Sequence, residues 1–163
     1  MEKDVHSMNL VLDQFDKAIL NALQEDASIS NLELSKKIGL SPSACLTRTK
    51  NLREQGIIRQ FTTIVDEQKL GMETLVFALV DLTPLNRETM QSFLDVISQY
   101  PQIQECYTIT GPHDYLLKIV AKDVKSYYSF IVDSLMNHPA VSDVQTCVVV
   151  GIEKRSTAVP TDL

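Results

Sequence analysis

Apolar residues recur at helical spacing in the first third of the chain and in strand-like runs beyond it. Phe15, Ile19, Ala22 and Leu23 share one side of a helix that Asp13 can cap, with Asp16 three places on. Ser30-Asn31-Leu32-Glu33 has capping-box spacing and opens a short second helix with Leu34 and Ile38 inward. Gly39 stands where that helix needs a left-handed terminal residue. Ser41 then caps a third helix, and Pro42 takes its first position, where the missing N–H costs nothing. This helix runs to about Gln55, and Gly56 stops it. A short helix, a tight glycine turn and a longer helix over residues 31–55 predict a helix-turn-helix.

Past Gly56 the period changes. Ile57, Ile58, Phe61, Ile64 and Val65 suggest an extended connector, and Asp66 to Gly71 is turn-rich. The expected division is a helix-turn-helix domain over 1–61, a linker strand over 62–73 and a second domain over 74–163. Strands are expected at 74–82, 103–110, 115–121 and 143–152, with helices over 87–100 and 126–137. That order, βαββαβ, is the ferredoxin-like unit, so the fold class is α+β. HPAVSD at 138–143 echoes YPQIQE at 100–105, as two related halves would.

LVFALV, YLLKIVA and CVVVGI are almost continuously apolar, whereas a sheet with one wet face should alternate. Two helices cover one face only. A second copy of the chain is expected on the other, giving at least a dimer.

Charge sharpens this picture. The net charge is −6, yet residues 1–61 are balanced, with 8 basic and 8 acidic side chains. Residues 36–60 hold six basic side chains (Lys36, Lys37, Arg48, Lys50, Arg53, Arg59) against Glu54 alone. A polyanion is repelled by most of this molecule and attracted to one patch. No apolar run reaches the length of a membrane helix, and the opening MEKDVHSMNL lacks the apolar core of a signal peptide, so the expected compartment is the cytoplasm. Cys45, Cys106 and Cys147 are far apart and His6, His113 and His138 scattered, so neither a metal site, a cofactor nor a catalytic set is expected.

A helical wheel turns Cys45, Thr49 and Leu52 of the third helix inward. Ser43, Thr47, Lys50, Asn51 and Glu54 face outward, with Arg48 on one flank and Leu46 and Arg53 on the other. Ser, Thr and Asn reach base edges while Arg and Lys hold phosphates. The candidate DNA-binding residues are therefore Ser41, Pro42, Ser43, Thr47, Arg48, Lys50, Asn51 and Arg53. The rival reading makes the chain a regulatory partner of another protein, with these helices docked on protein instead of double-stranded DNA.

NLELSKKIGLSP, IQECYTITGPHDYLLK and the terminal KRSTAVP, in this arrangement, resemble the Lrp/AsnC (feast/famine) transcriptional regulators, and the leucine-responsive branch in particular. The resemblance implies a (winged) helix-turn-helix joined to an effector-binding domain, called RAM, that takes an amino acid or related metabolite between subunits. It also implies dimers that assemble further, to tetramers or octamers. Thr49, Thr47, Lys50 and Asn51 depart from the family's usual residues, so the DNA sequence read is not transferable. On composition alone ITGPHDYLL is a β-turn shaped by Gly111 and Asp114. The resemblance makes it the effector site, with glycine-exposed N–H groups for a carboxylate and Asp114 for an ammonium. Its members are then Gly111, Pro112, His113 (a rim residue), Asp114, Tyr115 and, from the Thr-containing terminal segment, Thr157.

Overall fold

The computed structural model describes residues 11–162, and the MEKDVHSMNL stretch lies outside them. The chain divides into two compact units. One is the chain up to Ile64 together with Lys154–Leu163; the other is the intervening Val65–Glu153.

Three helices build the first unit: α1 (Gln14–Glu25), α2 (Asn31–Ile38) and α3 (Pro42–Glu54). Both expected capping boxes form, Asp13 with Asp16 and Ser30 with Glu33. Gly39 ends α2 at φ 74°, a left-handed backbone that suits glycine. At eight residues α2 is too short to persist alone. Leu34 anchors it in a core with Ile19, Leu20, Ala22, Cys45 and Leu52. Each large side chain buried there contributes about 1.5–3 kcal/mol, more than the caps do.

The sequence-based linker strand over 62–73 does not form. Asp66–Gly71 folds back on itself, with the Leu70 N–H on the Asp66 carbonyl at 3.3 Å and Gly71 on Gln68 at 2.9 Å. Among the described residues no strand precedes Thr74, because a strand needs a hydrogen-bonded neighbour and β1 is the first to have one.

The boundary of the second domain also moves at its far end. Residues from Lys154 leave it and pack with α1. Gln24 donates to the Val159 carbonyl (3.0 Å) and accepts its N–H (2.7 Å). Thr161 bonds Asn21 at 3.0 Å, and Lys17 meets Asp162 at 3.0 Å. Lys17, Asn21 and Gln24 recur at helical spacing, so one polar stripe supplies the partners this extended segment lacks.

The second unit runs β1 (Thr74–Leu82), α4 (Arg87–Ile97), β2 (Ile103–Thr108), β3 (Tyr115–Ala121), α5 (Val124–Phe130) with a wider turn at Ile131–Leu135, and β4 (Val141–Val148). The strands lie in the order β2-β3-β1-β4, all neighbours antiparallel, which is the expected ferredoxin-like arrangement. Several edges differ from expectation. Asp123 caps α5 earlier than the apolar period suggests, α4 stops at Ile97 and β2 at Thr108, and β4 runs from Val141 to Val148, with one further bond from the Val149 N–H to the Leu75 carbonyl at 2.9 Å.

Register sorts the sheet faces. Val76, Ala78, Val80, Leu82, Tyr115, Leu117, Ile119 and Ala121 are buried with Phe93 and Ile97 of α4 and Tyr127, Ile131 and Leu135 of the second helix, which share one layer. The opposite face carries Leu75, Phe77, Leu79 and Leu116, all half-buried, around a Lys118–Glu105 ion pair of 2.7 Å. The Tyr107 hydroxyl also bonds Glu105. Both helices of this unit pack on the first face, so among its described residues the apolar strand runs do not mean helical cover on both sides.

Candidate functional site

The helix-turn-helix is fastened at both ends of its turn. Ser41 Oγ accepts the Ala44 N–H at 3.2 Å, and Asn31 Nδ2 donates to the Pro42 carbonyl at 2.9 Å, linking the starts of α2 and α3. The Leu40 N–H returns to the Ser35 carbonyl at 2.9 Å. Cys45 and Leu52 are buried, and Thr49 returns its hydroxyl to the Cys45 carbonyl at 3.0 Å. Ser41, Pro42, Ser43, Thr47, Lys50, Asn51 and Arg53 are all exposed. Beside them a groove of about 600 Å3 is lined by Ser43, Thr47, Arg48, Asn51 and Gln55 with Asp16 of α1.

Arg48 is placed differently from expectation. Its guanidinium lies 2.8 Å from both Asp13 Oδ2 and Asp16 Oδ1, with its carbon 5.4 Å from the centre of the Phe15 ring. Two carboxylates and an aromatic face turn it toward α1, so it fastens α3 to α1. The Asp16 N–H, followed by Arg48 and the Phe15 N–H, holds the Asp13 carboxyl below its ordinary range, and Asp16 with Asp13 pushes Arg48 up. Among the described residues Lys50 pairs with a same-helix neighbour, Glu54 at 3.5 Å, and the Arg53 guanidinium stands 5.5 Å over the Phe61 ring. Sequence periodicity placed Arg48 on a flank; its partners stand more than thirty residues away and no local signal names them.

In the second unit the 109–114 turn is closed by the Ile109 N–H on the Asp114 carbonyl at 3.0 Å, and Gly111 has φ 129°, reserved in practice for glycine. Gly111 and Pro112 are exposed; His113 and Asp114 are half-buried. Asp114 Oδ2 accepts the Leu82 N–H at 2.9 Å, so this carboxylate is already partly engaged by β1. Asp81 is the residue that sequence reasoning missed. Its carboxylate lies 3.1 and 3.2 Å from His113 Nδ1 and accepts the Asp114 N–H at 3.2 Å. The available signal was a lone charge in the otherwise apolar TLVFALVDL.

Two expected members stand apart from the turn. The Tyr115 side chain faces the helical layer, 1% exposed, with its ring 5.0 Å from that of Phe93. Strand alternation explains this, since Tyr115 has the parity of Leu117 and Ile119. Its hydroxyl is buried without a hydrogen-bond partner among the described residues, and burial pushes its pKa up. Thr157 is exposed in the segment that belongs to the first unit.

Comparison with known proteins fits both regions. The winged helix-turn-helix DNA-binding domain matches residues 12–59, and the Lrp/AsnC ligand binding domain matches residues 75–159. The transcriptional regulator AzlB of Bacillus subtilis (strain 168) is 66% identical over 155 residues, covering 95% of this chain and 99% of the relative. The leucine-responsive regulatory protein of Escherichia coli (strain K12) is 38% identical over 145 residues, covering 89% and 88%. A transcriptional regulator of Neisseria meningitidis, solved as its L-Met complex, superposes with a TM-score of 0.90 at 32% identity, covering 93% of this chain and 98% of that one. A capped helix-turn-helix, a βαββαβ ligand-binding domain and relatives that match along nearly the whole chain place this protein in the Lrp/AsnC family of DNA-binding transcriptional regulators.

Proposed function

We propose that the protein reads specific duplex DNA with α3 and adjusts that binding to an amino acid held at the 109–114 turn. The observation that carries this reading is the exposed row Ser43, Thr47, Lys50 and Asn51 on a helix fixed by caps at its start. Asn51 and Thr47 supply paired donors and acceptors for base edges, and Lys50 and Arg53 supply charge for phosphates. Arg48 acts behind them by holding α3 against α1, and Ser41 and Pro42 set the helix start close to the groove. An amino-acid effector is supported by the L-Met complex of the Neisseria regulator and by the leucine response in the name of the E. coli relative. Backbone N–H groups about Gly111 suit its carboxylate.

Pairing of two copies through the helix-free sheet face follows from the half-exposed Leu75, Phe77, Leu79 and Leu116 there. Such a dimer presents two α3 helices to half-sites about one DNA turn apart, or a multiple of it. Further assembly to tetramers or octamers, and a place in the cytoplasm with the chromosome, complete the reading. The test is selection of genomic fragments by the purified protein, alone and with each of the twenty amino acids, alongside sedimentation. Enrichment of a common palindromic site that one amino acid strengthens or weakens supports the reading. Uniform retention of all fragments at low salt refutes it.

A further inference from the structure

We infer that Asp81 is a positioning residue of the effector site, and that it makes His113 Nε2 an acceptor for the effector's ammonium. The inference rests on the reading of the 109–114 turn as that site.

Asp81 sits at the end of β1, where pairing with β4 slips by a residue between Asp81 and Leu82. Its carbonyl accepts Ser142 Oγ at 3.2 Å, which anchors the backbone there. Its carboxylate then makes two separate contacts to the turn. One oxygen shares the Asp114 N–H with the Val80 carbonyl, each at 3.2 Å, and both oxygens face His113 Nδ1. Asp114 answers by accepting the Leu82 N–H at 2.9 Å. Each carboxylate thus bonds the backbone of the other's segment, and the turn cannot swing away from β1 without breaking both. Two reciprocal, charge-assisted bonds fix its position more firmly than the Ile109–Asp114 closure alone.

The imidazole contact has a chemical consequence. A carboxylate only accepts hydrogen bonds, so the ring nitrogen facing Asp81 must carry the proton. In the neutral ring this leaves Nε2 with its lone pair. A carboxylate behind a histidine fixes the tautomer and the direction of its far nitrogen, as it does for histidines that bind metals. The side chains of His113 and Asp81 are 17% and 27% exposed, shielded enough to hold one geometry and open enough to meet a small solute. A primary ammonium, which only donates, is the group this nitrogen suits. Asp114 was expected to meet the ammonium alone; with one oxygen engaged by Leu82, it shares that task with His113.

The test is nitrogen-15 NMR of the His113 ring in the full chain, with calorimetric titration of each of the twenty amino acids, on wild type, Asp81→Asn and His113→Gln. Asp81→Asn keeps an acceptor for the Asp114 N–H but removes the charge. The wild-type ring is expected in the Nδ1–H form and the Asp81→Asn ring in the Nε2–H form usual for free histidine. Loss of one charge-assisted bond is expected to weaken effector binding about tenfold, with the melting temperature little changed. His113→Gln, which retains a neutral acceptor, is expected to fall between wild type and Asp81→Asn. A wild-type ring in the Nε2–H form, or equal affinity in wild type and Asp81→Asn, overturns the assignment. If no amino acid binds wild type although its ring is in the Nδ1–H form, the effector reading of the turn fails, and the ammonium contact falls with it.

Discussion

Replacing Lys50 by alanine removes from α3 a cation whose side chain is 71% exposed and whose partner Glu54, 3.5 Å away, forms a surface pair of small worth. Little holds Lys50 back from a phosphate. Each phosphate contact contributes about 0.9 to the slope of log affinity against log salt. A dimer that presents two such helices loses about 1.8 from that slope, which is about twelvefold in affinity across a fourfold change in salt, such as 50 to 200 mM. The loss should be equal for target and random DNA, since a phosphate contact carries no sequence information. Arg48→Ala provides the contrast on the same helix. Its charge is shared between Asp13 and Asp16, each 2.8 Å away, so its removal should leave the slope nearly intact while lowering the melting temperature. Fluorescence anisotropy on both duplexes over that salt range, with thermal denaturation of each variant, reads both effects. A slope that flattens in Arg48→Ala and stays unchanged in Lys50→Ala refutes the assignment of the two cations.

The other predictions concern stability and access. Gly39→Ala meets open space but must hold φ 74°, so it should cost about 1–2 kcal/mol in a chemical denaturation curve, and an unchanged midpoint would contradict the backbone argument. Cys147 is exposed while burial pushes the Cys45 and Cys106 thiols up, so alkylation of the native protein should label Cys147 first and the other two only on unfolding. Cys147 pairs with Phe77 in the sheet, so its labelling should slow as protein concentration rises if copies meet on that face; a concentration-independent rate argues against such a dimer. Asp13, held low chiefly by the Asp16 N–H, and Glu33, held low chiefly by the Ser30 hydroxyl, have folded pKa values below their unfolded ones. Their contribution is present above the unfolded values and lost as pH falls through the folded ones, so the melting temperature should hold from pH 7 to 5 and drop below about pH 4. Alanine at both positions should blunt that drop.

What could be read in advance divides along chain distance. The caps at Asp13, Ser30 and Ser41, the left-handed Gly39 and the inward Cys45 and Leu52 depend on neighbours within four residues, and all appear as their spacing implies. β1 matches its expected bounds, Thr74–Leu82, because its alternate residues Val76, Ala78, Val80 and Leu82 fill the core. Arg48 escaped because its carboxylates lie on another helix, and the destination of Val159 and Asp162 depends on a polar stripe more than a hundred residues away. Tyr115 was legible: counting by two from Leu117 puts it with the core, and only the motif around it suggested the rim. Asp81 lay in plain view inside a strand, but its role needed the knowledge that β1 ends beside the turn.

The clasp between Gln24 and Val159 bears on how the protein is made. Residues 65–153 leave the ribosome between the two pieces that join there, so the helix-turn-helix unit is finished only after the ligand-binding domain has been translated. A product cut short within that domain would carry α1 with Lys17, Asn21 and Gln24 bare, and chaperones or proteases would meet it in that form.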